Sequence, residues 1–221
     1  MVGGVLQAIG WAFLPFLVWP VLHLIFGEKP VIKSISEHFI SIFDSVSFWL
    51  GEMTKWLLPI LVLTVATSVF ALSIFGFTTT KWIESAKYFQ AIIIMLGAGA
   101  TLLAGQHVRV DIFYARMSDL GKSRVDLFGY FLLLAPVCVL LIWNAQSFVS
   151  FAWAIREGSN EADGIRGVYL LKTLIPIFAL TMLMQGLSIA IRAAMCLRGQ
   201  TRPARPSGVP PFFRTSRQDI L

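Results

Sequence analysis

An all-α integral membrane protein is the fold class this sequence predicts: a four-helix transmembrane body with one additional N-terminal membrane helix and an interfacial amphipathic helix. Three observations predict it. Of the 221 residues, 57% are apolar and only 14% charged, against about a quarter in soluble domains. Five stretches carry no charged side chain at all: residues 1–22, 56–80, 88–106, 127–155 and 173–191. A hydrocarbon core of ~30 Å needs about 20 such residues at ~1.5 Å rise each, so the last four are long enough to cross it. The same composition excludes a disordered chain, which needs more polar residues. Two cysteines, Cys138 and Cys196, exclude a disulfide scaffold and a cysteine-built zinc site. The net charge of +6 accompanies too many aliphatic and aromatic residues for nucleic acid to be the expected partner; a membrane is.

Residues 1–27 form the additional N-terminal membrane helix. Nothing basic precedes Val5, and Trp19-Pro20-Val21-Leu22 is a poor cleavage site, which argues against a signal peptide. A helix kinked at Pro15 and Pro20, crossing the bilayer or lying tilted in its interface, fits better. Trp11 and Trp19 serve it either as headgroup-level anchors or as packing residues. Residues 28–55 are a connector opened by the helix-breaking Gly27-Glu28-Lys29-Pro30. Within it, Ile35, Phe39, Ile42, Phe43, Val46, Trp49 and Leu50 recur at helical spacing, with Ser36, Glu37, Ser41, Asp44 and Ser45 on the other side. Such a helix lies in the interface or docks on a partner, and it can run directly into the next span. Residues 56–195 are the four-span body. Residues 196–221 are a basic tail with Pro203, Pro206, Pro210 and Pro211 among its arginines, a composition that reads as disordered. Its cations set topology or touch anionic lipid.

Alternating the loops across the membrane puts thirteen Lys and Arg residues on one side and five on the other. The positive-inside rule makes the richer side cytoplasmic. The C-terminus is then cytoplasmic and, with five crossings, the N-terminus is outside.

Every Asp, Glu, Lys and Arg falls at a span edge or in a loop, where an ion path or proton relay does not run. No phosphate loop and no Ser-His-Asp set can be assembled. An axial haem pair needs two His at similar depth, but His107 sits at a span end, His38 on the interfacial helix and His23 alone, so a solvated or capping role is the default for each. No enzyme, cofactor or metal is expected. The spans instead carry small residues at four-residue spacing, which allow helix backbones to approach closely in lipid. Gly97, Thr101 and Gly105 make one seam, with Ala100 and Ala104 beside it; Gly186, Ala190 and Ala194 make another. Thr64, Thr67, Ser68 and Ala71 line part of the second span.

Three stretches taken in order carry a resemblance. Phe75-Gly76-Phe77 leading to Trp82-Ile83-Glu84 is similar to an aromatic-Gly, spacer, Trp-x-Glu pattern. Gly105-Gln106-His107-Val108-Arg109-Val110-Asp111 resembles a Gly-x-His-hydrophobic-x-Val-Asp signature. Glu157-Gly158-Ser159, then Leu171-Lys172-Thr173-Leu174-Ile175-Pro176 and Gln185-Gly186, resembles a last loop and last helix. Together, over roughly residues 45–195, they resemble the small (DctQ-type) membrane subunit of tripartite ATP-independent periplasmic (TRAP) transporters, closest to the mannitol/chloroaromatic or keto-acid branch. Glu84 is followed by Ser85, where the family usually has a second acid. The first helix is an addition to the family's usual four.

The resemblance implies a non-enzymatic inner-membrane subunit that packs on a large sodium-coupled, elevator-type permease, which receives a small organic acid anion from a periplasmic binding protein. Phospholipid is the remaining expected partner. For the motif residues two readings stand side by side. His107 and Asp111, four apart, clamp the end of the third span or simply form a polar helix end. Trp82 and Glu84 contact a partner subunit, or are an interfacial anchor beside a solvated acid. Lys172 snorkels to headgroups at the start of the last span, and Pro176 bends that span's first turns. Two other functions compete: a membrane anchor of an oxidoreductase, and the small subunit of a tripartite tricarboxylate transporter.

Overall fold

The computed structural model describes residues 16–105, 114, 116–201 and 203. These residues form helices joined by short connections, with no strand among them. The N-terminal 15 residues, the 106–113 segment and the tail beyond 203 lie outside the described residues, and with them most of the expected first helix.

Helix α1 (Trp19–Phe26) starts with Pro20 in its first turn and stops at Gly27, whose N–H bonds the His23 carbonyl. Helix α2 (Pro30–Phe75) is 46 residues long, about 69 Å at ~1.5 Å per residue. Pro30 occupies the first turn, where a missing N–H costs nothing. Gly76 ends the helix with φ of 68° and its N–H on the Leu72 carbonyl, a left-handed cap that glycine adopts without strain. The amphipathic connector and the second span are thus one helix. It is more than twice as long as the hydrocarbon core is thick.

Helix α3 (Thr80–Leu103) descends beside α2. Helix α4 (Asp119–Ala154) is capped by Ser118, whose Oγ accepts from the Gly121 N–H. It contains one π-helical turn at Tyr130–Leu134, closed by the Ala135 N–H on the Tyr130 carbonyl. Pro136 follows at once, and a residue without an N–H is accommodated by a widened turn just ahead of it. Helix α5 (Val168–Leu197) runs unbroken through Pro176. Helices α2, α3, α4 and α5 are long and apolar enough to cross a membrane.

The hub is α5. It contacts all four other helices, while α2 and α3 pair beside it on one flank and α4 lies on another. The core accordingly takes Ile40 and Phe43 from α2, Leu102 from α3, Tyr130, Cys138 and Ile142 from α4, and a row from Ala179 to Met195 on α5.

The connector half of α2 is helical as the periodicity predicts, but its buried face mixes the two expected sides. Ser36, Asp44 and Ser47 are buried beside Ile40 and Phe43, whereas Ile35, Ile42, Val46 and Trp49 are exposed together with Glu37, Ser41 and Ser45. The physical reason is the solvent. Lipid tails solvate aliphatic side chains as well as a protein core does, so association rewards polar pairing and close packing instead.

Candidate functional site

The buried face of α2 meets a matching face of α5. Gln185, Ser188 and Arg192 stand three and four residues apart, which aligns them on one side of a helix. All converge on Asp44. Its Oδ1 accepts from Gln185 Nε2 at 3.2 Å, Ser188 Oγ at 2.7 Å and Arg192 Nη1 at 3.2 Å, and its Oδ2 accepts from Arg192 Nη2 at 2.5 Å. Arg192 Nη1 also donates to Ser188 Oγ at 2.7 Å, and Arg192 Nε to the Pro203 carbonyl at 3.3 Å. Asp44 is 2% exposed and Arg192 8%. A forked, charge-assisted pair with its remaining lone pairs occupied is the arrangement that makes ion burial tolerable. Asp44, expected on the polar side of the connector helix, is therefore an interior residue. A carboxylate in the first third of one helix finds its counter-ion near the end of another, where only the tertiary fold brings them together.

Close by, α2 and α3 approach closely through small residues. A Cβ added to Gly51 would lie 2.5 Å from the Ala100 Cβ, and one added to Gly97 would lie 3.4 Å from Thr54 Oγ1. Gly99 faces Ser47 and Thr181. Of the first predicted seam, Gly97 is in this contact, together with Ala100 from beside it. Thr101 bonds its own backbone at Ala98, and Gly105 lies just beyond the helix end with φ of 72°. In the second seam, Ala190 and Ala194 are fully buried, and a Cβ on Gly186 would fall 1.9 Å from Leu134 Cδ2. Gly186 is thus the point where the π turn of α4 presses on α5. In the outer half of α2, Thr64 and Thr67 donate to the Ile60 and Leu63 carbonyls and Ser68 to that of Val65. Hydroxyls in a largely exposed apolar stretch are satisfied by their own helix.

At the opposite end, the 156–167 loop is tied down by the residues singled out in its neighbours. Glu84 accepts from Ser159 Oγ and from the Ile165 N–H, the latter at 2.7 Å. It is thus a ligand of that loop while remaining half-exposed. Lys81 pairs with Asp163 at 2.6 Å, with both side chains mostly exposed. Lys172 does not reach outward to headgroups. Its Nζ donates to Glu157 at 2.7 and 2.5 Å and lies 3.9 Å from the Phe148 ring centroid. Beside it, Trp153 Nε1 donates to Thr173 at 2.9 Å and stacks edge-on against Tyr169. Trp82 is half-buried at the start of α3, with its carbonyl accepting from Ser85. Pro176 is buried in the third turn of α5, deeper than the first-turn place expected for it. His107 and Asp111 lie outside the described residues.

The third cluster joins the two ends of the chain. His23 is fully buried, and its ring faces the Ser36 and Gln200 side chains, so it is neither the solvated nor the capping residue expected. Gln200 donates its amide nitrogen to the Gly27 carbonyl at 2.8 Å, so its oxygen faces His23 Nε2 at 3.0 Å. That assigns the ring hydrogen to Nε2. Nδ1, 2.8 Å from Ser36 Oγ, then accepts from that hydroxyl, whose oxygen accepts from Trp19 Nε1 at 3.0 Å. Arg198 caps α1 through the Leu24 and Ile25 carbonyls at 2.6 and 2.8 Å. Both imidazole nitrogens are engaged by protein groups, which leaves neither for a haem iron, and His38 is exposed. Among the described residues, no group of His, Cys, Asp and Glu is arranged to hold a metal ion.

Sequence reasoning missed Asp44, Arg192, His23 and Ser36 as interior residues. The available signal was the spacing of Gln185, Ser188 and Arg192, a polar stripe on the helix that also carries Gly186, Ala190 and Ala194.

These clusters tie helices to helices and a loop to a helix. A family model for the DctQ component of tripartite ATP-independent periplasmic transporters matches residues 61–196, more than half of the chain. Neither the curated proteins nor the solved structures yield a match.

Proposed function

This chain belongs to the DctQ family, the small membrane component of TRAP transporters, and on that premise we propose that it is the scaffold on which a large, sodium-coupled, elevator-type permease is seated. Members of this family work with a large permease and a periplasmic binding protein, and are generally non-catalytic. The organic-acid substrate class and the mannitol/chloroaromatic or keto-acid branch are inferred from the order of the motifs around Trp82, Gly105 and Lys172. The C-terminus is placed in the cytoplasm on the strength of the Lys and Arg asymmetry.

The observation that carries the scaffold reading is the division of α2 into two halves. Its inner half packs Ser36, Asp44, Ser47, Gly51 and Thr54 toward α3 and α5, while in its outer half Val62, Leu63, Val69, Phe70 and Phe75 stand exposed. A subunit whose ionised interior groups are used to lock its own helices has a rigid body and an apolar outer wall, which suits a static partner. Copurification tests it: the tagged chain, expressed with a large TRAP permease from the same source, is expected to bring the large subunit down in a fixed ratio. In liposomes the pair plus binding protein is expected to drive uptake, and the small chain alone none. Saturable uptake by the small chain alone would overturn the scaffold reading. Reporters fused after residue 200 and in the 156–166 loop are expected to report opposite sides of the membrane.

A further inference from the structure

Between α4, α5 and the end of α3 lies a cavity of about 680 Å³ that none of the three clusters uses. Its wall along α4 runs from Val125 to Leu141, about 24 Å at ~1.5 Å per residue, and the far wall comes from Met182, Gly186 and their neighbours on α5. It is a slot parallel to the helices that runs past the depth of one leaflet, which is about half of the ~30 Å core. The two ends differ. The end nearest the start of α4 holds Tyr114 and Asp126, whose side chains bond each other at 2.8 Å. Lys122 lies 6.0 Å from the Tyr114 ring centroid, and Arg124 is exposed on the same turn. The other end, around Val137, Cys138, Leu141 and Phe178, is apolar. Between them stands Tyr130, 3% exposed, whose hydroxyl is buried with no hydrogen-bond partner among the described residues. Leu133 and Val137 are more than half exposed, and a Cβ on Gly129 would meet nothing, so the slot is open along its side.

We propose that this slot is a resident phospholipid site, with one acyl chain lying along α4 toward Leu141 and the headgroup at the Lys122 end. The chemistry matches at each level. A diacyl lipid such as phosphatidylethanolamine has a zwitterionic headgroup for the mixed-charge end, where Lys122, 3.9 Å from Asp119, and Arg124 stand beside Asp126, and an ester carbonyl to accept from the Tyr130 hydroxyl. Its hydrocarbon chain fits the dry end. A buried phenol without an acceptor is costly, and a π turn that sets a large side chain at a cavity wall is a recurrent device at ligand sites. Gly186 shapes the back wall by letting Leu134 and Tyr130 close on α5. The site is built wholly within this chain, and it requires membrane residence but no particular transport substrate.

The test uses the full-length chain with its large subunit, reconstituted in phosphatidylethanolamine and phosphatidylglycerol vesicles in which a fraction of the lipid bears a terminal diazirine on one acyl chain. After illumination, adducts are expected to be enriched on Val137 to Leu141 and Phe178 to Met182 relative to the exposed flank of α2. Tyr130→Phe, which keeps the ring, is expected to lower the slot adducts about fivefold, the value of one neutral hydrogen bond, with the α2 adducts unchanged. Cys138→Trp, which fills the dry end, is expected to lower them at least tenfold. Equal labelling of slot and α2 flank would overturn the proposal. So would slot labelling indifferent to both substitutions, or cross-links showing a helix of the large subunit in the slot.

Discussion

Over its most apolar eighteen residues α2 is 6% buried, whereas the corresponding window of α5 is 61% buried, although both are suited to cross a bilayer. The difference lies in side-chain size and polarity. Along α5, Gly186, Ala190 and Ala194 let neighbours approach, and Gln185, Ser188 and Arg192 offer a stripe for polar pairing. The outer half of α2 presents large aliphatic and aromatic groups, and its hydroxyls are satisfied internally. In lipid, apolarity decides that a helix enters the membrane, while small and polar residues decide which helices pack. The inner half of α2 obeys the same rule in part: its packed face sets Ser36, Asp44, Ser47, Gly51 and Thr54 around Ile40 and Phe43.

The contrast can be broken most severely at the ion pair. Arg192→Ala leaves Asp44 buried without its counter-ion and is expected to cost about 3–5 kcal/mol, read as a large fall in apparent Tm of the detergent-solubilised chain. The double variant Asp44→Asn with Arg192→Gln is expected to regain much of that loss; if it does not, the pair is not what joins α2 to α5. Next in size is Gly186→Leu. Its first added carbon already collides with Leu134, and overpacking of this kind costs roughly 1–3 kcal/mol or more. Size-exclusion profiles are expected to show loss of the monodisperse species, with substrate affinity of any surviving complex unchanged. A smaller effect is expected from Ser188→Ala, about 0.6 kcal/mol, the mean for interhelical hydrogen bonds in membranes. The smallest belongs to the exposed flank. Leu63→Ala with Phe70→Ala is expected to leave the chain's own Tm within about 1 °C, since neither side chain is packed, at about 0.5 kcal/mol or less for surface changes. The same double variant is expected to lower the yield of copurified large subunit severalfold. A large Tm loss here would show that α2 carries packing that its exposed surface does not reveal.

Much of the candidate site was beyond the sequence for reasons particular to each residue. Glu84 and the 156–167 loop are separated by some 75 residues, and nothing in either stretch names the other as its partner. His23 and Gln200 sit at opposite ends of the chain. Lys172 seemed suited to snorkelling because a lysine at a span edge usually does; Glu157 lies close enough in space to hold it instead. Gly105 shared the four-residue spacing of a packing seam, but spacing does not distinguish a glycine in a helix contact from one at a helix end.

By itself the sequence determined that this chain resides in a membrane, that it offers four long apolar spans, and the family to which its motifs belong. Those properties depend on local composition, on Pro and Gly at helix ends and on charges at span edges, all of which act over a few residues. Only the tertiary structure decided which face of each helix is inside, that α5 is the hub, that Asp44 meets Arg192, and that α4 and α5 part to leave a slot beside Tyr130. Those properties depend on pairing across the fold. In lipid, where apolar side chains are at ease on either side of a helix, periodicity says that a helix has two faces but does not say which one turns inward.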